Sequence, residues 1–279
     1  MAAVTALAGI GDAAFWAALL AKMLASAGIV VLASLAVERV GPLVGAMIAT
    51  LPISAGPAYT FLALDHEADF LRESAVASLP AVAATALFIA AYAALARRRG
   101  VALSLGGALG VWIAAVLGLA RIGGGLVGAG LLAVGVIVGC IMACRRWRTG
   151  GHVPARRKRA SDILVRAGIV MALVVAVVLA GRLAGPGATG ILALAPVVMV
   201  SLAVILHPRI GGAATATVLT LSLPGLLGFV AALSALALTV ERFGPALALP
   251  LALLITLAWN GGILLANRLR PAPIPETAR

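Results

Sequence analysis

The chain of 279 residues is 63% hydrophobic and 11% charged, with a mean hydropathy of +1.16. A soluble domain is about half apolar and a quarter charged, so a soluble globule is excluded and a membrane protein is expected. The net charge of +12 would suggest nucleic acid in a soluble protein, but here the Lys/Arg bias of cytoplasmic loops absorbs it and no nucleic-acid partner is expected.

The N-terminal stretch MAAVTALAGIGDAAFW has no basic region ahead of its apolar run, so no cleavable signal peptide is expected and the first apolar segment stays as a span. A bilayer core of about 30 Å needs roughly 20 apolar residues per helix. Runs of that kind lie at 13–37, 43–64, 71–96, 101–120, 122–143, 163–184, 186–206, 212–240 and 244–266. The expected fold is an all-α polytopic membrane protein of about nine transmembrane helices.

Orientation follows from Lys and Arg. With the loop between the fifth and sixth spans inside, 15 cations fall inside and 4 outside, while Lys22 and Arg166 lie within span ends. This predicts an N-terminus outside and a cytoplasmic C-terminus in a bacterial-type inner membrane. Asp12, Asp65, Glu67, Asp69, Glu73 and Glu241 then lie outside. The basic loop 145–159 doubles as a contact for anionic lipid.

The second span, Gly41 to Leu64, is interrupted by Pro52, Gly56 and Pro57, and it has a counterpart 144 residues on. Gly41-Pro42 meets Gly185-Pro186, Pro52 meets Pro196, Ser78-Leu79-Pro80 meets Ser222-Leu223-Pro224, and Lys22 meets Arg166. One period holds five spans, an odd number, so the second copy enters the membrane from the opposite side. The expectation is two inverted-topology repeats of four helices, 1–121 and 163–279, joined by a connecting fifth span and the basic loop, 122–162. In the connecting span Gly124/Gly128 and Gly135/Gly139 stand at small-xxx-small spacing, which predicts close helix packing.

Inverted repeats with matching interrupted helices point to a carrier's solute site. A proline removes one backbone donor and frees the carbonyl four residues earlier, and at midplane such groups must be satisfied by protein, water or solute. Pro52 and Pro196 are either ordinary kinks or, with Thr50, Ser54, Gly56, Tyr59 and Ser201, the lining of a solute path; the path is the reading adopted. Lys22 and Arg166 sit near opposite mouths, where each either snorkels to headgroups or attracts an anionic solute. Pro80 and Pro224 are candidate hinges. His66, in the acidic run Asp65 to Asp69, is read as part of a solvated loop or a proton-sensing gate.

No Asp or Glu lies in the centre of a predicted span. Metalloprotease, hydrolase and nucleotide-loop motifs do not occur, so no enzyme activity and no cofactor are expected. Cys140 and Cys144 alone cannot close a four-ligand metal site. The expected function is a secondary transporter for a small organic or anionic solute, the alternatives being a lipid flippase or scramblase and a non-transporting scaffold subunit.

Overall fold

The computed structural model describes residues 13–38, 55–122, 124–148 and 160–269. Thr50, Pro52 and Ser54 fall outside them. The elements are α1 (Ala13–Glu38), α2 (Ala55–Asp65), α3 (Ala68–Leu95), α4 (Val101–Ile122), α5 (Gly125–Ala143), the single turn α6 (Arg145–Arg148), α7 (Ala160–Leu183), α8 (Gly185–Ala193), α9 (Val197–Ile210), α10 (Gly212–Leu221), α11 (Leu223–Phe243) and α12 (Pro245–Leu269). No strand occurs among the described residues.

Six helical stretches among them are long and apolar enough to cross a bilayer: α3, α4, α5, α8 with α9, α10 with α11, and most of α12. All six fall in segments predicted as spans. The chain is a multi-pass helical membrane protein, and its surface agrees. On α4 the buried stripe Ser104, Ala108, Trp112 and Val116 faces inward while Leu103, Ile113 and Leu117 are exposed. Leu247, Leu251 and Leu254 of α12 do the same. An apolar outer face of this extent suits hydrocarbon and not water.

Helix α5 corrects one expectation. Gly124, Gly128, Gly135 and Gly139 have nothing within 4 Å of where a Cβ would stand. The packed stripe is Ala129, Ala133, Ile137 and Cys140 instead. Spacing of four residues identifies a face, and side-chain bulk on both faces of α5 is too uniform to say which one turns inward.

At the centre lies α3, which packs against α2, α4, α5, α8, α10 and α11. From Ser78 to Ala86 its side chains are all buried. Asp69 in its first turn complements the helix dipole, and the helix continues unbroken through Pro80. Pro224, by contrast, stands in the first turn of α11, just after the break at Ser222. A first helical turn has no intrahelical use for the missing N–H, so proline fits there without cost.

The seventh predicted span is broken. Helix α8 ends at Ala193, Pro196 stands as the N-cap of α9, and Ala195 and Val197 turn their amides to Leu192 and Ala195. Turns at Gly211 and Gly244, with φ of 81° and 72°, admit glycine most readily and send the chain back into α10 and α12.

Two faces of the bundle follow from contacts. Arg72 meets Glu241 at 3.4 Å, joining the start of α3 to the end of α11. At the other end Gly212 is pressed against the Ala96 carbonyl and Arg97 stacks over Trp147 at 5.8 Å. Asp65, His66 and Glu241 therefore share one face, and Arg97, Trp147 and His207 the opposite one.

Candidate functional site: a buried hydroxyl stripe beside an apolar cavity

Ser74, Ser78, Thr85 and Tyr92 stand at spacings of four, seven and seven along α3. At 100° per residue they share an arc of roughly 40°, and their 18-residue separation covers about 27 Å, nearly the hydrocarbon thickness. All four are buried. Every other residue of α3 between Ser74 and Tyr92 is apolar, so this one polar stripe must find partners on its neighbours, since a buried hydroxyl without one costs about 1–3 kcal/mol.

It finds them on four helices. Ser78 Oγ donates to the Gly190 carbonyl of α8 at 2.6 Å. That carbonyl lies within four residues of the end of α8, where helical donors run out, so the serine supplies one. Tyr59 OH of α2 lies 2.8 Å from Ser78 Oγ, and because the serine's single proton is committed to Gly190, the tyrosine is the donor. Trp112 of α4 donates its indole N–H to Thr85 at 3.3 Å. Tyr92 OH meets His207 Nδ1 of α9 at 2.7 Å. Ser74 Oγ is buried without a hydrogen-bond partner, beside the point where α8 crosses.

That crossing is direct. A Cβ on Gly190 would collide with the Ser74 carbonyl, so only glycine lets α8 approach α3 closely enough for the Ser78 bond. Tyr59 and Gly190 belong to the two spans predicted to be interrupted, and both reach the same serine.

A cavity of about 710 Å³ opens on the other side of α2. Its walls are Ala55 to Phe61 of α2, Phe229 to Leu236 on α11, Pro245 to Thr256 on α12, and Ala25 of α1. The polar groups on those walls are hydroxyls, of Tyr59, Thr60 and Thr256. The volume falls in the range of small-molecule pockets.

Lys22 lies at the edge of this region, 5.9 Å over the Phe61 ring, and forms an ion pair with Asp65. His66 stacks on Phe70 at 3.9 Å, and burial pushes its pKa down while Asp65 pushes it back up.

Of the predicted site residues, Gly56 and Tyr59 line the cavity. Pro196 makes the break, and Ser201 turns its hydroxyl to Val198 of its own helix. Arg166 belongs to α7, its side chain outside the described residues. Pro224 offers its carbonyl to the Trp259 indole at 2.9 Å. Ser78, Gly190, Thr60, Thr256 and the Tyr92–His207 pair were not singled out from the sequence for these contacts. The 4-7-7 spacing was a usable signal for the stripe. Compared with known protein families, curated proteins and solved structures, the chain matches none of them.

Proposed function

We propose that this protein is a secondary transporter for a small organic solute, working by alternating access between two inverted repeats in a bacterial-type inner membrane. In this reading it is a carrier and not an enzyme, and the face with Asp65 and Glu241 is external. The observation that carries the proposal is the convergence of Tyr59 and Gly190, one from each of the two spans expected to be interrupted, on Ser78 of the central helix. A bond network that joins both interrupted spans inside the membrane is what a solute site between repeats requires.

Helix starts support the repeats. Ala68 and Gly212 lie 144 residues apart, as do Val101 and Pro245. Packing supports a pseudo-two-fold axis in the membrane plane. Helix α1 packs on its counterpart α7, and α3 on its counterpart α11, while α2 against α12 mirrors α9 against α4. Alternating access then rocks one repeat on the other, with Pro80 and Pro224 as hinges.

A second reading, lipid handling, is favoured by Leu253, which lines the cavity yet is 45% exposed, so that the cavity wall reaches the outer surface of the bundle. Flux into proteoliposomes separates the two. A carrier moves a soluble solute and loses that flux in Pro196→Ala and Tyr59→Phe, provided both variants fold. A scramblase moves labelled lipid between leaflets instead, and soluble-solute flux that is absent or untouched by both substitutions would contradict the carrier.

A further inference from the structure

We infer that the cavity between α2, α11 and α12 takes an uncharged, largely apolar organic molecule that brings its own hydrogen-bond donor, received by the hydroxyl of Thr60. The inference rests on the carrier reading and names its solute class.

The argument is a count of protons. Thr60 Oγ1 donates to the Gly56 carbonyl at 2.9 Å, and Thr256 Oγ1 donates to the Ala252 carbonyl at 3.0 Å. Tyr59 gives its proton to Ser78. Each hydroxyl has one proton and two lone pairs. With all three protons committed the lining hydroxyls offer no donor, and because Tyr59 and Thr256 are buried, it is the exposed Thr60 that presents its lone pairs to the cavity. An acceptor-only ligand such as a carboxylate meets no donor from them, and would be stripped of water beside phenylalanine, leucine and proline. An ammonium brings donors but also a charge, and no carboxylate stands among the described lining residues. Lys22, which stands over the lining Phe61, is already satisfied by Asp65. An alcohol, a phenol or an N–H of a neutral heterocycle fits: its proton goes to a threonine, its body to the apolar wall. Another source of donors is the first turn of α12, where the amides of Ala246 and Leu247 would favour an anion. The carboxylate arm of the experiment reads that possibility.

The test uses the full chain purified in detergent and four fluorescent probes of one shape: 2-naphthylmethanol, its methyl ether, 2-naphthoate and 2-naphthylmethylammonium. The alcohol is expected to bind saturably and about tenfold tighter than the ether, one good hydrogen bond being worth that much, with both charged probes weaker than the alcohol. Thr60→Val should reduce the alcohol to the level of the ether, Thr60→Ser should retain the preference, and Leu233→Trp should weaken saturable binding of alcohol and ether alike by crowding the cavity wall. If the valine variant does not fold, the ratio of alcohol to ether in the unaltered protein still decides. Tighter binding of naphthoate, equal binding of alcohol and ether, or no saturable binding overturns the inference. Because binding is read without transport, a protein that prefers the alcohol but moves no soluble solute across vesicles defeats the carrier reading alone. One that carries a carboxylate and ignores the alcohol defeats this inference alone.

Discussion

Ser78 hands its one proton to the carbonyl of Gly190, 112 positions further along the chain and 2.6 Å away, at the place where α8 lies directly on the backbone of α3. Tyr59 completes the contact from the other side. Removing Ser78 therefore orphans two groups and removing the Tyr59 hydroxyl orphans none, since Ser78 keeps its bond to Gly190. Tyr59→Phe should cost about 1 kcal/mol and Ser78→Ala roughly twice that, measured by reversible unfolding in mixed micelles. Equal losses would contradict the assigned donor and acceptor roles.

Gly190 and Gly139 should answer alanine in opposite ways. Gly190→Ala drives a methyl group into the Ser74 carbonyl and should lose more than about 3 kcal/mol or fail to fold. Gly139 points outward with nothing near it, so Gly139→Ala should be neutral or gain up to about 1 kcal/mol from helix propensity. Thermal unfolding of the two purified variants settles it.

Stability should fall in mild acid through His66, which lies in the turn between α2 and α3. Burial holds its pKa below the ordinary value, with Arg182 and Lys22 acting in the same direction and Asp65 against them. A depressed histidine pKa means that the unfolded chain binds the proton more readily. The contribution is complete above the unfolded pKa near 6.5 and is lost as pH falls from there through the folded pKa. Melting temperatures from pH 7.5 to 5 should therefore fall more steeply for the unaltered protein than for His66→Gln. Parallel curves would rule the residue out.

The ion pair of Lys22 and Asp65 ties α1 to the end of α2, with the two side chains 14% and 30% exposed. Partial burial raises its worth above that of a surface pair, and either single alanine leaves a charge without its partner. A double-mutant cycle should give a coupling of about 1 kcal/mol that shrinks with added salt. Zero coupling at low salt would show that the contact contributes nothing.

Much of the membrane character was legible because hydropathy depends on composition alone. The break at Pro196 was legible too, since proline removes a definite hydrogen bond. The hydroxyl stripe was written in the spacing of Ser74, Ser78, Thr85 and Tyr92, though not its partners. Nothing in a sequence with 32 glycines distinguishes Gly190 from the rest. Its role arises from a crossing between helices distant in the chain. Likewise Tyr92 and His207 stand 115 positions apart and meet only through packing. The glycine pairs of α5 misled because equal spacing occurs on a lipid-facing surface as readily as on a packed one.

The central claim is that the region around the interrupted spans opens to each side of the membrane in turn. The most direct test is thiol labelling of single cysteines at Thr60, on the cavity wall, and at Val198, just beyond the Pro196 break, in a protein lacking Cys140 and Cys144. Impermeant reagent is applied from each side of sealed, oriented vesicles. Alternating access predicts that both positions react from both sides. Reaction at neither position, or at each from one fixed side only, would contradict it.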